Sequence, residues 1–433
     1  MGTQRGVSRR TFLSWAGATT LSGVGAALLP ASKASASRVG PNDQVRVAII
    51  GNGGMGSRHV EALAVNPNCS IAAVCDVGIP KYLKAQATIK QLSGKDVDGY
   101  QDFREVYDRN DIDACWVVTP DHWHPLLTIL GCEAGKDIYV EKPACTTVEE
   151  GRAMVTAARR HGRVVQLGTQ QRSMPVFQKA IELLHGGKIG TITSATVWIG
   201  PNGWNVGMTE EPVPKGLDWD LWLGPAPYEP YSPQRYGGFM GCHDYARGGQ
   251  LTNWGVHHTD IVHWGIQQDR PLSVQAVGGN FQSGAGSENY ENIEAIFEYK
   301  GCNVTWQQRH HDDFDGKGGG GIKFWGTEGT LTVDRGSYIV KTDKEGKQQW
   351  VGEPEKSWAN PPHHNNFLNA VRTRCKPVAD IEQGVHSTIP PLLSGIALKT
   401  RRKLNWDSER ERFINDEDAN RYLTRTYRAP WHL

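Results

Sequence analysis

Among its eight cysteines the sequence has no C-x-x-C pair and no metal-ligand spacing, so neither a dithiol centre nor a cysteine-bound metal is expected. Charge of one sign is also missing. The formal net charge is +1 at pH 7, which gives no electrostatic footprint for nucleic acid or an anionic lipid surface. No internal repeat is present, which excludes a repeat architecture. Beyond Leu29 no apolar run approaches the length of a membrane helix, so no integral membrane segment is expected. What is present is globular: 38% hydrophobic and 21% charged residues over 433 positions, too long for one ordinary core, so two domains are expected. Glycine (50) and tryptophan (15) are abundant. The first suits close backbone approaches to ligands, the second a sugar-binding cleft as well as packing.

The N-terminus reads as an address. Ser8-Arg9-Arg10-Thr11-Phe12-Leu13 is a twin-arginine pattern, Trp15 to Leu29 is apolar, and Ala34-Ser35-Ala36 supplies small residues for cleavage. Residues 1–36 are therefore expected to be a signal peptide, and the mature protein to be periplasmic or secreted. That route carries proteins already folded in a reducing compartment. The cysteines then need no disulfides and read as small buried hydrophobes.

Val45 to Ile50 is a short β-branched run ending in glycine, and reads as a buried parallel strand. Ser70–Cys75, Ala114–Val118, Ile138–Val140 and Val164–Leu167 repeat the pattern. Helical patterns lie between them, near His59–Ala64, Lys81–Leu92 and Val148–His161. Such alternation predicts a doubly wound α/β domain over residues 43–167. From Gly168 the rhythm changes. A helix over Pro175–Leu184 precedes strand-like stretches at Thr191–Ile199, Leu272–Phe281, Asn292–Tyr299, Asn303–Gln308, Ile322–Trp325 and Thr330–Val333. These predict an antiparallel sheet and an α+β domain over 168–433. Pro201–Gly241 reads as a long Pro/Gly/Trp-rich functional loop, Gly318–Gly321 as a turn, and Phe367–Arg374 and Val385–Leu404 as helices, the second broken at Pro390-Pro391. The aromatic, basic tail Arg421–Leu433 is expected to pack against a second subunit.

Gly51-Asn52-Gly53-Gly54-Met55-Gly56 is G-x-G-x-x-G directly after a strand and at the start of a helix. Its glycines suit a tight turn, approach to a pyrophosphate and close helix–strand packing, with free amides at the helix start to meet the phosphates. Asp76 ends the second strand, 20 residues after Gly56, where a carboxylate accepts from ribose hydroxyls. It would repel the extra phosphate of NADP, so NAD is favoured and NADP is the second choice. Thr119-Pro120-Asp121-His122-Trp123-His124 and Glu141-Lys142-Pro143 follow the next strands and should lie on the same rim.

At these residues the sequence resembles the Gfo/Idh/MocA oxidoreductases, named for glucose–fructose oxidoreductase, inositol 2-dehydrogenase and a rhizopine-catabolism protein. The resemblance rests on Gly51–Gly56, on Thr119–His124, on Glu141-Lys142-Pro143, on Gly168-Thr169-Gln170-Gln171-Arg172 and on Gly248–Asp260. It implies a Rossmann domain followed by an open antiparallel sheet, commonly an oligomer interface, so a dimer or tetramer is expected. It implies cofactor contacts from Gly51, Asn52, Gly53, Gly54, Met55, Gly56, Asp76, Thr119, Pro120, Trp123, His124, Glu141 and Lys142. Catalysis is assigned to Lys142, His257 and Asn253, and substrate binding to Arg172, Asn253, His257 and His258. His257 would take the alcohol proton while Lys142 polarises the oxygen. Many members carry aspartate four residues before this histidine. Here Asn253 stands there, and an amide cannot accept a proton. Asp260 reads as a structural partner. No metal is expected: His243, His258 and His263 read as hydrogen-bonded structural histidines, and His310-His311 and His363-His364 as non-catalytic.

An exported enzyme has no pool of free NAD, so the cofactor is expected to leave the cytoplasm bound and to be regenerated in place. Three functions fit. The first is an oxidoreductase acting on a secondary hydroxyl of a sugar, glycoside or polyol. The second is a glycoside hydrolase using transient oxidation and elimination. The third is a silent cofactor- or sugar-binding protein.

Overall fold

The computed structural model describes residues 44–203, 208–282, 288–310, 319–351 and 361–433. The leader over 1–36 lies outside them, as do His311 and Gly318.

Six parallel strands form the first sheet: β1 (Val45–Ile50), β2 (Cys69–Cys75), β3 (Asp98–Tyr100), β4 (Ala114–Val117), β5 (Asp137–Val140) and β6 (Val165–Leu167), in the order β3-β2-β1-β4-β5-β6. β1, β4 and β5 are buried nearly end to end because helices cover both faces. The strand order reverses between β1 and β4, and a crevice opens beyond their carboxyl ends at such a switch point. The sequence motifs follow those strand ends: Gly51 after β1, Thr119 after β4 and Glu141-Lys142 after β5.

Ten further strands form the second sheet: β7 (Ile192–Ile199), β8 (Ser273–Gly279), β9 (Asn292–Tyr299), β10 (Cys302–Gln308), β11 (Gly321–Gly326), β12 (Gly329–Val333), β13 (Ser337–Thr342), β14 (Gly346–Val351), β15 (Leu404–Asp407) and β16 (Arg412–Phe413), in the order β14-β13-β12-β11-β7-β10-β9-β8-β15-β16. One face packs on helices and the other is open. Along β9, Ile293, Ala295 and Phe297 are buried, while Ile296 is half exposed. The expected all-antiparallel sheet needs one correction: β7 and β10 pair in parallel. The chain leaves β7, passes through the long loop region, β8 and β9, and returns to β7's side in the same direction, which a hairpin cannot do.

The two sheets belong to one compact unit. One apolar cluster runs from Val140 and Met154 through Val385 and Ile396 to Phe297 and Phe324. The chain also returns to the first sheet: the helix Pro361–Thr373 places Phe367 edge-on to Trp116, ring centroids 5.1 Å apart. The helix Ile381–Thr400 runs unbroken through Pro390 and Pro391, against expectation. Both prolines are buried, and Pro391 seats against Gly255. Around them Thr388 and Ser394 hydroxyls donate to the carbonyls of Gly384 and Pro390, at 2.8 and 3.1 Å. Tertiary burial here outweighs the lost backbone bonds.

The Pro201–Gly241 region is not a bare loop among its described residues. Short helices at Trp219–Leu223 and Pro233–Gly237 gather Trp219, Trp222, Tyr231 and Tyr245 into a small aromatic core, with Trp219 stacked on Trp222 at 4.5 Å. The tail packs on its own chain. Arg425 pairs with the fully buried Glu150 at 2.6 Å, Tyr427 donates to the same carboxylate at 2.8 Å, and Trp431 lies edge-on to Trp123 at 4.9 Å. Seven cysteines are buried as expected, but Cys375 is exposed, just beyond the end of the helix Pro361–Thr373.

Candidate active site

Backbone geometry builds the dinucleotide end of the crevice. Gly51 has φ +94°, and a Cβ there would overlap the Val118 carbonyl. A Cβ on Gly56 would overlap the Gly51 carbonyl. Both positions need glycine for that reason. Gly53 differs: a Cβ there would meet nothing within 4 Å, which leaves the turn open towards the cavity. The helix Gly54–Ala64 starts at Gly53 with no side-chain cap, so its first amides stay available for an anion. Asp76 is buried and accepts from the backbone amides of Asn52 (2.7 Å) and Gly78 (2.9 Å). Burial raises its carboxyl above the usual range, opposed by Lys81 and those two amides. These features fit a nicotinamide dinucleotide: an open glycine turn, an uncapped helix start and a carboxylate beyond β2.

A cavity of about 810 Å³ runs from this loop to Lys142. Gly51, Asn52, Gly53, Gly54, Met55, Asp76, Thr119, Pro120, Trp123, His124, Glu141, Lys142 and Asn253 all line it. Gly56 is buried behind the turn. His124 ties the rim together, its ring nitrogens meeting the carbonyl oxygens of Pro143 (2.7 Å) and Thr119 (2.9 Å). Trp123 donates to the carbonyls of Leu221 and Trp222 at 3.1 and 3.0 Å, so the aromatic core of the loop region closes one wall.

At the inner end the Lys142 ammonium donates to Asn253 Oδ1, and Asn253 donates to Gln250 at 3.1 Å. Burial pushes Lys142 below the usual lysine range, with Glu141 and Asp121 opposing and Arg335 adding to the fall. Glu141 is bonded to His59 at 3.0 Å, and His59 to His364 at 2.9 Å. Burial opposes the Glu141 charge, but His59, Lys142 and His124 together outweigh it and hold the carboxyl low.

Three expected residues sit differently. His257 and His258 are buried at the start of the helix Gly255–Ile266 and do not line the cavity wall. Burial, reinforced by Arg335 and Lys142, holds His257 far below neutral titration, and burial with Arg335 lowers His258 to about 3. Arg172 also stands off the wall. Its guanidinium pairs with buried Asp260 at 2.7 Å and lies over Trp264 at 5.0 Å. Ser387 adds a bond to Asp260 at 2.9 Å. A buried carboxylate so placed holds the cation as a structural pair. His263 meets the Tyr299 hydroxyl at 2.7 Å. Among the described residues no group of three or more His, Cys, Asp or Glu is placed to hold a metal, and no helix is long and apolar enough to cross a membrane.

Sequence reasoning missed Asp121, His59 and Arg335. Asp121 was within reach, since it sits in the stretch after β4; Arg335, on the turn between β12 and β13, carries no sequence signal.

Residues 45–169 match the family profile "Oxidoreductase family, NAD-binding Rossmann fold", and residues 188–433 match "Oxidoreductase family, C-terminal alpha/beta domain", both of the Gfo/Idh/MocA group. The chain belongs to the Gfo/Idh/MocA oxidoreductase family, with an NAD-binding Rossmann domain. It is 32% identical over 148 residues to scyllo-inositol 2-dehydrogenase (NAD(+)) of Bacillus subtilis, covering 34% of this chain and 42% of that protein. It is 33% identical over 169 residues to a glycosyl hydrolase family 109 protein of Solibacter usitatus, covering 36% and 37%. The chain thus spans less than half the length of these curated relatives. Its fold is similar to that of levoglucosan dehydrogenase in complex with NADH and levoglucosan, with TM-score 0.65, 18% identity and 84% and 99% of the two chains covered. The aldose-aldose oxidoreductase of Caulobacter crescentus gives the same four values.

Proposed function

We propose that this protein transfers hydride between a tightly held NAD and a secondary hydroxyl of a sugar, glycoside or polyol. The observation that carries the reading is the single cavity joining the open glycine turn and Asp76 to Lys142. Bound NAD supplies the hydride acceptor. Gly53 and the uncapped helix start would hold its pyrophosphate, Asp76 a ribose, and the Thr119–His124 turn and Trp123 would wall the reacting end. Lys142 is the group placed to bind the substrate oxygen, with Asn253 orienting its ammonium. The dehydrogenases among the similar proteins support the sugar or polyol class. The twin-arginine pattern supports export with cofactor aboard.

A second reading, a hydrolase that oxidises a ring hydroxyl, eliminates the glycosidic substituent and reduces the ketone again, is favoured by the glycosyl hydrolase family 109 relatives. Denaturing the purified protein and weighing the released nucleotide tests the shared core, with about one NAD per chain expected. The intact protein is then offered inositols, levoglucosan and aryl glycosides. NADH formation with the first two supports the oxidoreductase; release of the aryl alcohol without net NADH supports the hydrolase. Lys142→Ala should lower either turnover at least ~10²-fold with NAD still bound. Full activity in that variant refutes the site assignment.

A further inference from the structure

Asn253 leaves the site one proton acceptor short, and the structure holds a carboxylate nearby. Asp121 opens the short turn Asp121–Trp123 after β4 and lines the same cavity as Lys142 and Asn253. It is 5% exposed. Its Oδ2 has no hydrogen-bond partner. Yet it is close enough to Lys142 for the two charges to act on one another, while forming no direct ion pair with it.

A carboxylate buried without a full set of partners is costly to keep charged, and a fold retains such a group mostly where chemistry uses it. The neighbours that set its charge are Lys142, its own backbone amide and Glu141. The first two favour the ionised form and Glu141 opposes it, but burial dominates and raises the carboxyl to about 7. By contrast Glu141 is held ionised by His59, Lys142 and His124 together against burial, and His257 is held neutral by burial. Of the groups around Lys142, Asp121 is therefore the one suited to exchanging a proton near neutrality.

We propose that Asp121 is the proton acceptor of this site, working with Lys142 in the role that Asn253 cannot fill. The assignment rests on the oxidoreductase reading. In the oxidising direction the Lys142 ammonium gives up a proton to Asp121 Oδ2 across the cavity they share as the substrate O–H bond breaks, and the substrate proton forms the N–H bond that replaces the one lost. The C–H electron pair leaves as hydride to the bound nicotinamide dinucleotide, so the alcohol becomes a ketone and the carboxylate becomes a carboxylic acid.

The test uses the full chain, as parent, Asp121→Asn and Asp121→Glu. In carboxyl-13C-aspartate-labelled protein, one resonance is expected to titrate near pH 7 in the parent and to be absent from Asp121→Asn. The folded protein holds this proton from about pH 4, where a free aspartate releases it, up to about 7. Rising pH across that window therefore costs the parent stability that the asparagine variant does not lose. The variant should melt higher than the parent at pH 8 and level with it at pH 4. With the best substrate found above, Asp121→Asn should lose about 10²-fold or more in kcat/KM at pH 8 and the limb near pH 7. NAD affinity by calorimetry should be unchanged, and Asp121→Glu should recover part of the rate. An unaltered pH profile, no aspartate resonance titrating near 7, or a loss of NAD binding in Asp121→Asn overturns the assignment and leaves the oxidoreductase standing. A parent that binds NAD and oxidises nothing overturns both.

Discussion

The glycine turn and the lysine cluster lie at two ends of one cavity and are made in opposite ways. The turn is local. Residues 51–56 follow one strand, start one helix and meet the rest of the chain at the Val118 carbonyl and at the end of β2, through Cys75 and Asp76. The cluster is assembled from distant pieces. Lys142 follows β5, Asp121 follows β4, and Asn253 comes from 111 residues beyond Lys142. Its aromatic wall is braced in turn by the tail, through Trp431 on Trp123 and the Glu150 pair. A site made locally is defined by backbone conformation. A site made remotely is defined by the burial and charge that packing imposes, and distant contacts can disturb it.

That contrast can be broken at several points. The largest effect is expected from Glu150→Ala, which strands Arg425 and Tyr427 in a buried position. Urea unfolding should show about 3–5 kcal/mol lost, and limited proteolysis should cut the tail near Arg425. An unchanged tail would show that the cluster does not depend on it. Gly56→Ala comes next, because its Cβ meets backbone: about 3 kcal/mol lost and NAD binding lost with it. Gly53→Ala, three residues earlier, should stay within about 0.5 kcal/mol of the parent while NAD affinity falls about tenfold by calorimetry, since the new methyl enters the open cradle. Equal destabilisation by both substitutions would contradict the local account of the turn. The smallest effect is expected from Asn253→Asp. A carboxylate on the Lys142 ammonium favours the charged form and raises its pKa. With the Lys142 charge drawn to the new carboxylate and a second negative charge in the cavity, Asp121 is less easily ionised, so the limb near pH 7 should move upward with little change in melting temperature. A limb that stays in place or moves downward would put the new carboxylate out of reach of both groups.

Much of the first sheet could be read directly. Val45–Ile50 is bounded in the sequence by the same residues as in the structure, because a β-branched run buried on both faces needs nothing beyond itself to be recognised. β3, β13, β14, β15 and β16 escaped notice. β14 reads Gly-Lys-Gln-Gln-Trp-Val, an edge strand with too little apolar patterning to stand out from a loop. The helix through Pro390-Pro391 misled for the opposite reason: a strong local breaker was overruled by burial. Arg172 reads in the sequence as a cation in a family motif, and its pairing with Asp260, 2.7 Å away, appears only in the fold. Asp121 was visible as a letter but not as an acceptor, since its isolation and its closeness to Lys142 exist only after β4, β5 and the aromatic loop have packed.

The linear chain by itself determined the dinucleotide turn, the acid at Asp76, the alternation of strand and helix and the placing of Lys142 on a strand-end rim. Each of these follows from residues within a few positions of one another, where sterics and hydrogen bonding leave few options. Only the tertiary structure decided which buried carboxylate oxygen is left without a hydrogen-bond partner among the described residues, which histidines are held neutral, and that the tail braces the aromatic wall of the cavity. Those properties depend on how much water is excluded and which charge comes near, and both are set by segments that meet only when the chain folds.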